Sequence, residues 1–326
     1  TMSRKKEVFK PLKDKKVDIF VCGITPYTYA HIGHAKTYVQ FDIIVKYLKF
    51  LRYDVFYLQN ITNIDDKIID RAKKEKKDPL KLAEEFEKKY LDDMKRLEVN
   101  SVKKYARATD YIPEIVSQVK RLIEKGYAYK TSDGYYFDLA KFPEYGKLAR
   151  RTIENAEDAI SRIDENKEKR NKGDFCLWKF SKKDEPSWKW KYGSGRPGWH
   201  VEDTAITEKE FGQQYDVHGG AVDLIFPHHE AEIAQMESIS GKKPFVKYWM
   251  HTAFLNMDKT KMSKSIGNII SIREALERYD GKVLRYFFAS HHYRMPVQFS
   301  YELFEQSKNS LARLNDFTRS LKDNKG

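Results

Sequence analysis

Two short words in this sequence combine basic side chains with glycine or serine in a way that suits phosphate chemistry. The first is AHIGHAK, residues 30–36, where His31 and His34 flank Gly33 at a loop-to-helix junction after a strand. A helix N-terminus offers free N–H groups and the positive end of the backbone dipole, which favour an anion. Gly33 allows a ligand to approach the backbone closely, and the two imidazoles can donate hydrogen bonds to phosphoryl oxygens. On four residues alone, a pair of capping histidines explains the pattern as well. The second word is KTKMSKS, residues 259–265, followed by Ile266-Gly267-Asn268. Lys259, Lys261 and Lys264 make it a cationic loop that could neutralise charge developing on a departing pyrophosphate; an ordinary solvated lysine loop is the plainer reading.

The nine histidines fall into a few short segments: His31/His34, His200, His218, His228/His229, His251 and His291/His292. Such grouping suggests chemistry without naming it.

The elements that must hold these residues follow from pattern. Residues 17–22 (VDIFVC) read as a buried strand, rich in β-branched and aromatic residues. From about His34, apolar residues Tyr38, Phe41, Ile44, Val45, Leu48 and Leu51 recur at helical spacing. Residues 54–58 form a second strand. Strand, loop, helix and strand in the first 60 residues point to a doubly wound parallel α/β sheet. Helices are expected over 79–98 and over 111–125, the latter closed by Lys125-Gly126. Residues 127–139 read as a hairpin turning at Asp133-Gly134, 154–172 as a charged surface segment, and 175–180 (FCLWKF) as a strand with Cys176 a small core residue. YDVHGG (215–220) reads as a strand ending in a glycine turn. PHHEAEIAQMESI reads as a helix with Pro227 near its start, a placement favoured at the first position. A strand is expected over 245–255, and helices over 271–279, 281–293 and 301–321.

The composition bounds the answer. The chain has 326 residues, 40% hydrophobic and 33% charged, so a real core can form and wholesale disorder is excluded. No apolar run approaches the roughly 18 residues of a membrane span, and no membrane partner is expected. Two cysteines, Cys22 and Cys176, cannot make a disulfide framework or a four-cysteine zinc site. With no secretory leader at the start, a cytoplasmic location is expected. Thr1 before Met2 reads as a cloning remnant. The formal net charge of +13 fits either solvated lysine-rich faces or an anionic partner such as nucleic acid.

HIGH at 31–34 followed by KMSKS at 261–265, on a doubly wound α/β chain, resembles the class I aminoacyl-tRNA synthetases. CGITPYTYAHIGHAK, NITNIDDKII, RPGWHVED, HGGAVDLIFPHHEAEIAQ and KMSKSIGN narrow the resemblance to the cysteinyl-tRNA synthetase family, over nearly the whole chain. It implies a Rossmann-like (HUP-type) catalytic domain whose first half, 2–100, carries HIGH. A connective insertion would occupy 101–195, the second half 196–255, and the KMSKS loop with stem-contacting helices 256–326. The family's anticodon-binding domain is absent from this stretch, which stops at Gly326 near the start of that region.

The resemblance also implies a site. His31, His34, Lys261 and Lys264 would be catalytic. Cys22, Gly23, Thr62 and Trp199 would line the amino-acid pocket. Thr25, His31, Gly33, His34, Gly219, Gly220, Asp223 and Lys264 would bind ATP, whose magnesium comes with it. The family holds a zinc ion on two cysteines, a histidine and a glutamate; the matching positions here are Cys22, Asp203, His228 and Glu232. His228 and Glu232 are four apart, so a helix would present both on one face. Asp203 departs from the family's cysteine. Zinc accepts mixed sulfur, nitrogen and oxygen donors, so one zinc per chain is still expected, held more weakly and less selectively than by two thiolates. A metal that binds thiolate suits a pocket that must tell cysteine from serine, because an apolar slot separates them poorly.

The implied reaction is activation of L-cysteine by ATP and transfer of the cysteinyl group to tRNA(Cys), by a monomer. The alternatives are a tRNA-independent cysteine ligase of the same fold acting on a small amine, and a non-catalytic nucleotide- or RNA-binding paralogue.

Overall fold

The computed structural model describes residues 1–151, 166–257, 260–261 and 269–323. Most of the charged 154–172 segment and most of KMSKS, Lys264 included, lie outside the described residues.

The chain divides into two compact units. One comprises residues 1–27, 48–87 and 102–251, the other 28–47, 88–101 and 252–326. In chain order the elements begin with β1 (Lys16–Ile24), α1 (Ile32–Phe50), β2 (Asp54–Ile61), α2 (Asp66–Glu75), α3 (Pro79–Arg96), β3 (Lys104–Arg107) and α4 (Ile112–Glu124). There follow β4 (Ala128–Lys130), β5 (Gly134–Phe137), β6 (Phe175–Phe180), β7 (Gly195–Pro197), α5 (Val201–Phe211), β8 (Tyr215–Ala221), α6 (Glu230–Ser240) and β9 (Val246–Thr252). The chain closes with β10 (Leu255–Met257), β11 (Thr260–Lys261), α7 (Ile272–Arg278), α8 (Gly281–Ala289), β12 (Val297–Phe299) and α9 (Tyr301–Asp323).

The first unit is built on a five-stranded sheet in the order β3-β2-β1-β8-β9, with β3, β2, β1 and β8 parallel neighbours. This is the expected doubly wound α/β arrangement. The strands β1, β2 and β8 are buried on both faces, which is why they read as apolar runs rather than alternating ones. The same unit carries an antiparallel sheet, β4-β5-β6-β7. Its Phe137, Phe175 and Trp178 share one core with Phe20 and Leu58 of the large sheet and Ile115 and Val119 of α4. Within the 101–195 stretch expected as insertion, β3 instead pairs with β2 at the edge of the large sheet.

Two expectations need correction, and one element was unforeseen. Gly219 and Gly220 do not form a turn: β8 runs through them, with Gly219 paired to Val21. Pro227 is not the first residue of the following helix. Phe226 is extended (φ −134°, ψ 131°) and the peptide between them is cis, so α6 begins only at Glu230. The sequence also gave no sign of α5, which carries Asp203.

The second unit is held around the start of α1. Lys36 is 1% exposed, and its ammonium donates to the carbonyls of Ala253 (2.6 Å) and Tyr293 (3.3 Å). Thr37 Oγ1 meets Thr252 Oγ1 at 2.7 Å, and the Gln40 amide donates to Phe288 and His291 carbonyls. The backbone of Ile32 donates to Ile270 O and that of Ile272 to Ala30 O. Hence the chain on either side of residues 258–268 is tied to the HIGH segment. A capping box between Ser271 and Glu274 starts α7, and Phe287, Phe299 and Phe304 pack edge to face.

Burial without a carboxylate partner lowers the Lys36 pKa to about 8. Its ordinary value is 10.5, so between these values the unfolded chain binds the extra proton. Stability from this group is therefore full above pH 10.5, falls as the pH is lowered towards 8, and is flat below. Lys36→Met removes that dependence. Urea titrations at pH 8 and 10.5 should show a change in unfolding free energy that is smaller in the variant, by at most on the order of 3 kcal/mol.

None of the described helices is long and apolar enough to cross a membrane.

Candidate functional site

In the first unit, three elements deliver their ends to one place. β1 ends with Cys22-Gly23, which puts Cys22 at a strand C-terminus, where open α/β sheets bind ligands. The first turn of α5 carries Glu202 and Asp203, and a helix N-terminus favours such negative charge. The turn before α6 brings His228 and His229, and α6 itself Glu232.

The side chains converge tightly. The Cys22 thiol lies 3.5 Å from Asp203 Oδ2, 3.2 Å from His229 Nε2 and 3.4 Å from His218 Nε2. His228 Nε2 is 3.1 Å from both Asp203 Oδ2 and Glu232 Oε1. Cys22, His228, His229 and Glu232 each offer a donor atom within 4.8 Å of all the others, and all four are buried. The set expected from sequence is thus assembled, with a difference. Asp203 touches Cys22 and His228, but it is His229 that completes the mutually close group. His228 and His229 both lie in the turn that precedes α6, after the extended Phe226.

Further histidines and aromatics support this cluster. His200 Nδ1 lies 2.7 Å from His228 Nδ1, and His251 Nε2 lies 2.8 Å from His229 Nδ1. In each case the contact engages one ring nitrogen and leaves the other towards the cluster, the arrangement that fixes a ligand's tautomer. Trp199 stacks on His228 with ring centroids 4.3 Å apart. His218 stacks on Trp249 and meets the Tyr215 hydroxyl at 2.6 Å. Of these, His200, His218, His229, His251, Tyr215 and Trp249 carried no assigned role from sequence, although His200, His218 and His229 lie within the words RPGWHVED and HGGAVDLIFPHHEAEIAQ.

The electrostatics call for a cation. Burial, then Asp203 and Glu232, push the Cys22 thiol well up. Burial, then Asp203 and Glu202, raise the Glu232 carboxyl. Burial holds His200, His218 and His229 neutral, far below their ordinary values. The charged neighbours that bear on the Glu232 carboxyl, Asp203 and Glu202, are both acidic, as are those that bear on Glu202, Asp203 and Asp65. Among the described residues the Glu232 oxygens meet only imidazole nitrogens, His228 Nε2 at 3.1 Å and His218 Nδ1 at 3.4 Å, with no well-aligned hydrogen bond. Buried carboxylates without compensation are costly. A thiol, imidazoles and a carboxylate at this spacing are the donor chemistry of zinc, so the residues present fit such an ion.

The residues expected to line an amino-acid pocket hang on the same framework. Asn60 of β2 accepts from Gly23 N at 2.5 Å and donates to Asp203 Oδ1 and, at 3.3 Å, to Thr62 Oγ1. The Thr62 hydroxyl donates to Glu202 Oε1. A Cβ on Gly23 would lie 1.7 Å from the Asn60 carbonyl oxygen, so no other residue fits there. Thr25 continues from β1, with its carbonyl accepting from Tyr27 N. Gly219 and Gly220 lie near the end of β8, and Asp223 lies in the single helical turn after it, Val222–Leu224. A Cβ on Gly220 would press on Leu224 and on His229 at 3.0–3.1 Å.

In the second unit, α1 starts at Ile32, so HIGH does form a helix N-terminus. The rings of His31 and His34 stack at 3.8 Å, with His34 Nδ1 accepting from His31 N and Gly33 between them. The backbone of Lys261 lies in β11, paired to Asn256.

Residues 8–309 match the family described as tRNA synthetases class I (C) catalytic domain. The chain is 51% identical to the cysteine–tRNA ligase of Thermoplasma volcanium over 321 residues, 98% of this chain and 70% of that protein. It is 48% identical to the cysteine–tRNA ligase of Thermococcus gammatolerans, over 96% of this chain and 66% of that protein. Among solved structures it resembles Mycobacterium tuberculosis methionyl-tRNA synthetase in complex with methionyl-adenylate. The TM-score is 0.70 at 17% identity, over 90% of this chain and 68% of that one. That likeness is one of fold.

Proposed function

Because the chain belongs to the family of class I (C) tRNA synthetase catalytic domains, we propose that it is a cysteine–tRNA ligase. It activates L-cysteine with ATP to cysteinyl-adenylate and passes the cysteinyl group to the 3′ end of tRNA(Cys). The observation that carries this reading is the buried thiol–imidazole–carboxylate cluster at the end of β1, beside Gly23.

Cys22, His228 and Glu232 would hold a zinc ion, with Asp203 and His229 both in reach of the fourth position. When bound, zinc supplies a Lewis acid that takes a thiolate in preference to a neutral hydroxyl. Gly23, Thr62 and Trp199 shape the pocket around the amino acid. Gly219 and Gly220 let the β8 backbone approach adenosine, and Asp223 accepts from ribose hydroxyls. The substrate carboxylate attacks the α-phosphorus and pyrophosphate leaves, so no side-chain nucleophile is needed. His31, His34 and the N-terminus of α1 stabilise charge on the α-phosphoryl group, while Lys261 and Lys264 neutralise the departing pyrophosphate. Magnesium accompanies ATP. The net charge of +13 suits a polyanionic tRNA.

Cysteine-dependent exchange of pyrophosphate into ATP tests the first step. Charging of tRNA(Cys), compared with transfer to a small amine, tests the second. Exchange without tRNA charging, but with amine acylation, would replace the reading with a tRNA-independent ligase; no exchange would defeat it.

A further inference from the structure

We infer that the Glu202 carboxylate, together with the Thr62 hydroxyl, is the acceptor for the α-ammonium group of the amino acid. This rests on the amino-acid pocket proposed above and assigns it a second electrostatic pole. Glu202 is 1% exposed, in the first turn of α5. Its Oε1 accepts from Thr62, while Oε2 is buried with no hydrogen-bonding partner among the described residues. The charged groups that bear on it are Asp203 and Asp65, both acidic. A buried carboxylate oxygen in that position wants a donor that also carries positive charge. Glu202 is not part of the mutually close metal-donor group, so an ion there would leave this oxygen unmet.

The connection to the pocket is short. One amide, Asn60, binds Gly23 N, Thr62 Oγ1 and Asp203 Oδ1. Asp203 in turn contacts Cys22. The thiol-binding cluster and the Thr62–Glu202 pair are therefore linked through Asn60 and Asp203. A small amino acid carries its thiol and its ammonium on adjacent carbons, and the chain offers a cation-hungry group for each. An ammonium has three N–H donors; Glu202 Oε2 and Thr62 Oγ1 accept two of them.

The test uses Glu202→Gln in the full chain, with 3-mercaptopropionate, which is cysteine without its amine, as the probe. Three quantities are measured: the KM for cysteine in pyrophosphate exchange, the Ki of 3-mercaptopropionate against cysteine, and zinc content. Loss of one charge-assisted hydrogen bond should raise the cysteine KM about 10- to 100-fold. The Ki of the deamino probe and the zinc content should change less than about twofold. Thr62→Val, which removes the hydroxyl and keeps the carboxylate, should move the same ratio in the same direction, and serves if the Gln variant does not fold. An equal loss for both thiols, loss of zinc, or an unchanged cysteine KM would overturn the inference. Absence of exchange in the wild type would instead remove the cysteine-activation reading on which it stands.

Discussion

Replacing Lys264 by alanine lowers the rate of cysteinyl-adenylate formation about 10²- to 10³-fold, with the affinity for cysteine changed less than about threefold. Removing one preorganised donor to a developing negative charge has effects of that order, corresponding to a barrier increase of roughly 3–4 kcal/mol. The cause is specific to the transition state: charge accumulates on pyrophosphate as it leaves, and an ammonium is worth most at that moment. The residues proposed for the cysteine pocket, Cys22, Gly23, Thr62 and Trp199, are other ones and are untouched by the change. Single-turnover measurements of ATP consumption separate the two quantities. A rate within threefold of wild type would remove Lys264 from the reaction.

The second large effect concerns the metal. Because Asp203 and His229 both reach the fourth position, either Asp203→Ala or His229→Ala should weaken zinc binding about 10- to 100-fold while leaving a detectable site. The double variant should purify with no zinc. Cys22→Ala should also abolish binding, because the thiolate has no substitute: the other cysteine, Cys176, packs with Tyr129 and Tyr136 in the small sheet. Cobalt substitution adds a readout independent of activity, since the sulfur-to-metal absorption band disappears in Cys22→Ala and persists in both single variants. Full zinc content in the double variant would show that three donors suffice and that neither residue is a ligand.

Where a segment obeyed one periodicity, the sequence read correctly: β1, α1 and β2 were legible from apolar spacing alone. So was the closure of α4, where Gly126 takes the positive φ (76°) that its position requires. The misses lie where the site overrides local rules. α5 was invisible because its buried face carries Glu202, Asp203, Thr204 and Thr207, polar residues that periodicity assigns to solvent. Gly219-Gly220 looked like a turn because glycine usually breaks a strand; pairing with β1 keeps them extended. His229 was passed over because helical spacing from Glu232 selects His228, and regular spacing does not hold through the turn at Phe226-Pro227. The motifs drew attention to the residues that cluster at the end of β1, but which imidazole joins the mutually close group was not encoded in any periodicity.

The ties between α1 and the backbone at 253 and 270 set a limit on how Lys264 can act. Lys264 lies six positions before Ile270, whose carbonyl is bonded to Ile32 N at 3.0 Å. A fully extended chain of that length spans about 21 Å, so the Lys264 backbone can never stray farther than that from Ile270, which is itself bonded to the N-terminus of the HIGH helix. In solution terms it is a tethered reagent, at an effective concentration on the order of millimolar or above. Free ammonium ions would have to be supplied at comparable levels to replace it. Lengthening the tether on the 265–269 side would dilute the lysine without altering any contact, and the rate of adenylate formation would fall with the length of the insertion.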